Sequence, residues 1–330
     1  MRAVSARIVC LIVLLGVLAG ACGGSGPQTT SNGAKLAPVR VVLDFVPNAV
    51  HAGLYAAQAE GMYRAQGLAV QLVAPAGTAQ PLSAVSSGRA DLGIADLIDV
   101  TLANRQGAGL RVVAAVVQRP LISLMARADG PVRRPRDLVG RTVGLTGVPS
   151  DRAIARTIVA GDGGDPNRVH FVVIGFSAVP SLVGRKVDAA IGFWPADGVE
   201  LERRTPARIF RLERFGGPAF PELVIFARAR TLRTSPGLVR RFLRASAQGY
   251  ALARRDPSRA LADLEHGAHG IDPAVARASL KAYRPILADR NGRFGTIDRA
   301  AVRAFLRYAR RVGIIPGATP VRGLLWSATS

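Results

Sequence analysis

Between residues 39 and 227 the chain alternates short apolar runs with helical patterns, and this alternation restricts the possible folds more than any other feature. Strands separated by helices favour a sheet of parallel strands covered by helices. The predicted strands span residues 39–43, 68–73, 111–117, 121–126, 142–145, 169–174, 187–191 and 223–227. The predicted helices between them span residues 50–60, 81–87, 151–160, 179–185 and 198–204. We therefore predict an α/β protein with parallel sheets.

The pattern changes to helices alone after residue 235. Proline at first-turn positions and Ser or Asp at capping positions predict helices over residues 236–254, 257–266, 273–283 and 298–312. Both patterns break at residues 128–135 (ADGPVRRP) and again at 228–235, which suggests two crossings between domains. We expect the second domain to be inserted in the first. The predicted first lobe spans residues 39–127 and 231–330, and the predicted second lobe spans 128–230.

The net charge of +22 raises the question of a nucleic-acid partner, because it comes from 44 basic and 22 acidic residues. All of the basic residues except Lys35, Lys186 and Lys281 are arginines. A DNA-binding surface needs arginines clustered on one element with aromatic residues between them. Here they recur singly or in pairs through nearly every segment after Arg89, as GC-rich coding bias would produce. We therefore predict no nucleic-acid partner.

The first 22 residues indicate export. Arg2 and Arg7 precede an apolar run over residues 8–18, which has the length of a signal-peptide core and is too short to span a membrane. The run ends in Leu18-Ala-Gly-Ala-Cys22, which resembles the bacterial lipobox. We predict a signal peptide over residues 1–21 and a lipid on Cys22 that anchors the protein to the outer face of the cell membrane. The alternative is an ordinary secretory signal cut near Ala21.

Residues 22–38 have the composition of a flexible tether, since they are mostly Gly, Ser, Thr, Asn, Gln and Pro. Cys10 and Cys22 are the only cysteines. After cleavage the chain would have no pair for a disulfide, no thiol nucleophile in its body and no thiolate metal site. We predict no metal and no cofactor.

The segment at residues 41–55 carries the densest group of candidate site residues. A strand ends at Asp44, Pro47 stops further pairing, and Asn48 can cap a helix on which His51 and Tyr55 are four residues apart. These four polar side chains would meet at the carboxyl end of a parallel strand, where open α/β sheets bind ligands. The structural alternative is that Asn48 only caps, Tyr55 is part of the core and His51 is a surface imidazole.

Three other places are candidates for the same cleft. Ser150 lies between a strand and a helix, where it could cap or help to bind an anion. Trp194, at a strand end, could stack on a flat heteroaromatic ring, with Asp197 three residues further on, or could serve ordinary interface packing. Glu222 precedes the strand near the second predicted crossing and could face the cleft or only solvent.

A family resemblance is carried by the strings LDFVPNAVHAGLYAAQAEGMYRAQGL, GRADLGIAD and PSDRAIARTIVAGDGGDPNRVHFVVIGFSAVPSLVGRKVDAAIGFW. They resemble the solute-binding lipoproteins of ABC importers for pyrimidine precursors of thiamine, over about residues 39–227. The resemblance implies the type 2 periplasmic-binding fold, shared with fungal pyrimidine-phosphate synthases. It also implies two α/β lobes that close on a ligand in the cleft, with a helical tail, and a monomer that docks on an ABC permease with its ATPase.

Carried over by position, the resemblance implies ligand contacts at Asp44, Asn48, His51 and Tyr55 in the first lobe and at Ser150, Trp194 and Asp197 in the second. The expected ligand is a small heteroaromatic, an aminopyrimidine, stacked on Trp194. The chain departs from the family pattern at Ala95-Asp96-Leu97, Arg119 and Ile122, and Asp197 is shorter than the acidic residue expected there. The alternative ligands are riboflavin, a sulfonate or nitrate.

A synthase of the same fold is the alternative from a different class of function. The resemblance implies that such a synthase would work as the related fungal enzymes do. Their chemistry resembles a suicide reaction that uses a cofactor-bearing lysine, a histidine and a cysteine-rich metal site. This chain has no lysine near the first motif and no cysteine in its body. We therefore predict a binding protein and not an enzyme.

Overall fold

The computed structural model describes residues 35–326, which form two sheets covered by helices. The strands are β1 (Ala37–Val42), β2 (Leu68–Val73), β3 (Leu92–Asp96), β4 (Leu110–Ala115), β5 (Ile122–Arg127), β6 (Thr142–Leu145), β7 (His170–Val173), β8 (Ala189–Phe193), β9 (Ala207–Arg211) and β10 (Leu223–Arg228). The helices that precede β10 are α1 (Ala52–Ala59), α2 (Met62–Ala65), α3 (Gln80–Ser87), α4 (Leu97–Arg105), α5 (Asp151–Gly161), α6 (Ala178–Val183) and α7 (Val199–Arg204). Those that follow it are α8 (Ala229–Thr234), α9 (Pro236–Arg255), α10 (Pro257–Gly267), α11 (Pro273–Tyr283) and α12 (Arg299–Arg311).

In each sheet the fourth position is taken by the strand that enters from the other sheet, β10 or β5, and the remaining four strands have the same order. The first sheet is ordered β2-β1-β3-β10-β4 and the second β7-β6-β8-β5-β9. The α/β class and the two lobes are therefore confirmed, but the expectation of parallel sheets was wrong. In the first sheet β10 runs antiparallel to both neighbours, and in the second β5 does. A buried central strand such as LVIFAR is a continuous apolar run in either direction, so the sequence pattern carried no sign of its direction.

The chain crosses between the sheets earlier than predicted on each occasion. Because β5 pairs in the second sheet, the first crossing lies at residues 116–121 and not after residue 127. Because β10 pairs in the first sheet, the return crossing lies at residues 212–222 and not near residue 230. The break at residues 128–135 is a turn region after β5, and the break at 228–235 contains the short helix α8. The first crossing escaped notice because it begins and ends with the fully buried apolar residues Val116, Val117 and Leu121.

The tail helices pack mainly on the first lobe. Helix α9 crosses α1 so closely that a Cβ at Gly249 would lie 1.9 Å from the carbonyl oxygen of Gly53. The next residue, Tyr250, donates a hydrogen bond of 2.9 Å to the carbonyl of Val50. Only glycine permits this approach of two helix backbones. None of the helices within residues 35–326 is long and apolar enough to cross a membrane.

The last helix, α12, has a different position. Phe305 stacks on Phe220, just before β10, with ring centroids 3.6 Å apart. The same hydrophobic cluster contains Ile154 and Ile158 of α5, in the second lobe. Helix α12 therefore joins the core between the lobes, whereas the sequence pattern placed the whole tail on the first lobe.

Candidate functional site

A cavity lies between the lobes, at the carboxyl ends of strands from both sheets. It has about 700 Å³ of empty space when the solvent at its mouth is included. The first lobe contributes residues at the ends of β1 and β3, and the second lobe contributes residues at the ends of β6 and β8. This is where open α/β sheets place their ligands.

The polar lining of this cavity is strongly acidic. Its carboxylates are those of Asp44, Asp96, Asp99, Asp151 and Asp197. Among the described residues that line it there is no lysine, arginine or histidine. The cavity therefore offers its contents carboxyl groups and no cationic side chain.

The aromatic lining comes from Phe45, Phe176 and Phe193. Phe45 follows β1 and Phe176 follows β7, so the two rings belong to different lobes. They meet edge to face with centroids 4.2 Å apart. This contact joins the lobes beside the cavity and provides flat apolar surface for a ring.

The predicted cluster after β1 is a hydrogen-bonded network around a buried imidazole. The backbone N–H of Asn48 donates to Nδ1 of His51 over 3.2 Å, so Nδ1 carries no proton. Nε2–H then donates to Oδ1 of Asp44 over 2.8 Å. Both ring nitrogens are engaged and His51 is fully buried, so the structure places it behind Asp44 and not at the cavity surface.

Asn48 caps the helical turn that begins α1 and also lines the cavity. Its side-chain oxygen accepts from the N–H of Val50 over 3.0 Å. Tyr55, however, does not reach the cavity. It is 6% exposed and packs against Gly267 of α10. The face of α1 on which it lies is covered by the tail helices, which the local sequence pattern could not show.

Ser150 joins the two lobes. Its N–H and Oγ donate to the two carboxylate oxygens of Asp99, on α4, over 3.3 and 3.0 Å. Its side chain does not cap α5, which was the structural alternative, and Ser150, predicted as a ligand contact, does not line the cavity. Burial, followed by the charge of Asp151, raises the pKa of Asp99 to about 7, while the bonds from Ser150 act in the opposite direction.

Asp151 follows in the same loop and is held by its own lobe. Its Oδ2 accepts from Thr146 Oγ1 over 2.8 Å and from the N–H of Gly147 over 3.0 Å. Gly147 has a φ of +100°, which favours glycine there. Burial raises the pKa of Asp151 above its usual value, against these hydrogen bonds.

Asp197 lines the cavity, whereas Trp194 does not. The N–H of Phe193 donates to Asp197 Oδ2 over 2.9 Å, and burial raises the pKa of Asp197 to about 6. Trp194 Nε1 donates to the carbonyl of Pro120 over 3.1 Å, and the guanidinium of Arg211 lies 3.6 Å from the centre of its ring. The indole thus links the end of β8 to the first crossing. This agrees with the alternative interpretation of Trp194, which was ordinary interface packing.

Glu222 faces neither cleft nor solvent, in contrast to both readings of the sequence. It is fully buried at the return crossing, and its Oε2 accepts from the N–H groups of Leu121 and Ile122, the latter over 2.9 Å. Burial raises the pKa of Glu222 to about 7, although these bonds lower it. Glu222 therefore ties the two crossings together. Cys22, the predicted signal peptide and most of the tether lie outside the described residues.

Sequence reasoning missed several lining residues, above all Asp96, Asp99, Asp151 and Phe176. A usable signal existed for Asp96, because it ends a strand in the same way as Asp44. Asp99 lies on α4, a helix that follows β3 without any break in the sequence pattern. Phe176 lines the cavity because its lobe contacts the other lobe at Phe45. The local sequence pattern around Phe176 contains no information about that contact.

Two lobes of matching strand order, joined by two crossings beside a cavity, define the fold of the periplasmic solute-binding proteins. The alkanesulfonate-binding protein of Xanthomonas axonopodis pv. citri, solved with MOPS bound, matches this structure with a TM-score of 0.70 at 18% identity. The match covers 88% of this chain and 98% of that one.

The chain belongs to the NMT1/THI5-like family, whose model matches residues 48–260. It is 31% identical over 277 residues to the formylaminopyrimidine-binding protein of Halalkalibacterium halodurans, covering 82% of this chain and 84% of the relative. It is 26% identical over 226 residues to the 4-amino-5-hydroxymethyl-2-methylpyrimidine phosphate synthase of Legionella pneumophila, covering 67% and 71%. The predicted family relationship is confirmed, and the relatives include binding proteins and synthases.

Proposed function

We propose that this protein is the extracytoplasmic solute-binding component of an ABC importer and captures an aminopyrimidine precursor of thiamine between its lobes. The observation that carries the proposal is the cavity itself, with flat aromatic surface and hydrogen-bond acceptors but no cationic side chain in its lining. An aminopyrimidine offers a flat ring and an exocyclic amine that donates hydrogen bonds. The name of the Halalkalibacterium relative supports the same class of ligand.

In this proposal the ring lies against Phe45, Phe176 and Phe193 and not against Trp194, whose ring is covered by Arg211 on one face. Asp197 and Asn48 line opposite sides of the site and bond the exocyclic amine and the ring nitrogens. His51 acts through Asp44, which it orients. The lobes close on the ligand, and the closed form docks on the permease.

The acidic lining argues against the anionic alternatives, sulfonate and nitrate. The start of α5 is the position where an anion could bind to backbone N–H groups. There the N–H and hydroxyl of Ser150 already bond the carboxylate of Asp99. A carboxylate of the chain thus occupies the place that an anionic ligand would need.

The synthase alternative lacks suitable side chains near the cavity. Lys35, Lys186 and Lys281 are all exposed and none lines it. His51 has both nitrogens engaged, and the cysteines lie at positions 10 and 22. These features favour binding over catalysis.

Calorimetry on the purified protein tests the proposal. We expect 4-amino-5-hydroxymethyl-2-methylpyrimidine and its formylamino relative to bind, and the deaminated ring to bind far more weakly, because the site's acceptors would be left unpaired. Riboflavin, an alkanesulfonate and nitrate complete the panel. Binding of one of these three with no heat from any aminopyrimidine would refute the proposed ligand.

Membrane attachment through Cys22 is a separate part of the proposal, supported by the apolar run and small residues before it. We expect Cys22→Ser to release the protein from the membrane fraction, with Cys10→Ser as the matched control. Persistence of Cys22→Ser in salt-washed membranes would contradict the lipid anchor. Sedimentation of the released protein would test the expected monomer.

A further inference from the structure

Two carboxyl oxygens near the cavity have no hydrogen-bond partner within residues 35–326: Oδ1 of Asp96, which lines the cavity, and Oε1 of Glu222, which does not. Asp96 ends β3 and occupies the N-cap of α4, where an aspartate side chain ordinarily accepts from the first helix N–H groups. It makes no such bond here, and its Oδ1 is buried without any hydrogen-bond partner. A buried carboxylate oxygen without a donor is costly, so its presence in a binding cavity needs a reason.

The groups that face Asp96 increase this cost. Its electrostatic neighbours are Glu222 from the return crossing, Asp99 from α4, Asp44 from the end of β1 and Asp151 from the start of α5. Every one of them is acidic. Burial and these neighbours raise the pKa of Asp96 well above its usual value, so the empty site retains protons that a bound positive charge would displace.

A metal ion does not account for the cluster. Within residues 35–326 no group of three or more carboxylates, imidazoles or thiols is arranged to hold one. The missing cap bond shows that Asp96 does not serve as the cap of α4. A donor group of the ligand can supply the missing partner, and the acidic neighbours of Asp96 favour a donor that carries positive charge.

We infer that the Asp96 end of the cavity receives a protonated amino substituent, so that the protein selects aminopyrimidines bearing a primary amine beside the ring over their hydroxyl and phosphate counterparts. This inference rests on the proposed function and specifies the ligand's charge. An ammonium group supplies three donors to a set of acceptors that the chain leaves short of donors. A phosphate would meet five carboxyl groups and no cationic side chain.

The sharpest test compares two ligands of nearly equal size. In calorimetry at pH 7.5, 4-amino-5-aminomethyl-2-methylpyrimidine should bind about tenfold or more tightly than its 5-hydroxymethyl counterpart, as expected for hydrogen bonds to a charged group. The phosphate ester of the hydroxymethyl compound should give no measurable binding. Asp96→Asn should remove the preference for the amine, whereas Glu265→Gln, an exposed carboxylate on α10, should retain it.

Proton release supplies a second readout that does not depend on a variant. The amine should displace protons from the acidic cluster of the wild-type protein, so its binding enthalpy should vary with the ionisation enthalpy of the buffer. The hydroxymethyl compound should show a much smaller variation. Asp99→Asn provides a second variant if Asp96→Asn does not fold.

The outcomes separate the two proposals. If both compounds bind equally and neither releases protons, the inference about charge is wrong and the proposed function stands. If the phosphate ester binds best, the inference is also wrong. If no aminopyrimidine binds, both proposals fall.

Discussion

The two lobes have the same strand order but support their acidic side chains in different ways. In the second lobe Asp151 and Asp197 each accept from a backbone N–H of their own lobe. In the first lobe Asp96 has a buried oxygen without a donor, and Asp99 finds its donors only on Ser150 across the cleft. The second lobe thus supplies the donors for its own carboxylates, whereas Asp99 of the first lobe is bonded only across the cleft.

The lobes also differ in what covers them. Helices α9 and α10 pack on α1 of the first lobe. In the second lobe the edge strand β7 is largely open, and Val173 is 70% exposed. The first lobe is therefore covered by tail helices on the side of α1, whereas the second lobe leaves its edge strand β7 largely exposed.

The largest effect should follow from separating the tail from the first lobe. Gly249→Ala would place a methyl group against the backbone of α1, so we expect a loss of about 3 kcal/mol in the free energy of unfolding. Gly237→Ala, on the same helix with open space around it, should be neutral or slightly stabilising. Denaturant titration measures both. In Gly249→Ala, hydrogen exchange should show the first-lobe strands opening before the second-lobe strands. Simultaneous opening of both lobes would contradict the difference in how the tail covers them.

A smaller effect should appear with pH. The folded-state pKa values of Asp99 and Glu222, about 7, lie above their values in the unfolded chain. At these two groups the folded protein binds more protons than the unfolded chain, so their contribution to stability is fully present below about pH 4 and is lost as pH rises toward 7. We expect the free energy of unfolding to fall between pH 4.5 and 7.5.

Asp99→Asn should flatten this slope in denaturant titrations across the same window. Asp162 serves as the contrast, because Arg134 holds its pKa below the usual value and it titrates below that window. Asp162→Asn should leave the slope unchanged. A stability that rises with pH across the window would show that the buried carboxyls do not govern it.

Loss of an aromatic ring should distinguish Phe176 from Trp194. Phe176→Ala removes a cavity wall and its contact with Phe45, so we expect aminopyrimidine binding to weaken by about 1.5 kcal/mol. Trp194→Ala should change the affinity much less, because its ring does not line the cavity. Calorimetry compares the two variants. A larger loss in Trp194→Ala would restore that residue as the stacking platform.

The smallest expected effect concerns the bond between the lobes. Ser150→Ala removes the hydroxyl donor of Asp99 and should weaken ligand binding by about 1 kcal/mol through a less favourable closed form. Ser83→Ala, an exposed serine that bonds only its own helix, is the control. Scattering or fluorescence should report a larger open fraction in Ser150→Ala without ligand. An unchanged distribution would argue that the bond does not contribute to closure.

The sequence predicted those features that depend on local pattern. Strands β2 and β6 and helix α11 have the bounds expected from hydrophobic periodicity and proline position. It missed β3, the helix α4 that follows β3 without a breaker, and β9, whose sequence ARIFR has no regular alternation of apolar and polar residues. Periodicity identifies an element where its residues repeat with a clear period, and these three short elements have none.

The site was less predictable because it depends on what covers each face. The cluster at Asp44, Asn48 and His51 is local and was found. Tyr55 shares the helix face of His51, yet the residue that covers it, Gly267, is far along the chain. Trp194 shows the same limit, since the guanidinium of Arg211, on β9, lies against its ring and the ring does not line the cavity.

The placement of β10 between β3 and β4 has a consequence for the order of folding. All strands of the second sheet come from one continuous stretch, residues 122–211, whereas the first sheet lacks a central strand until residues 223–228 are available. Closing that longer loop costs more chain entropy and slows the pairing. During vectorial synthesis or export, the lobe that emerges first would therefore be completed last, with the apolar edges of β3 and β4 unpaired in the meantime.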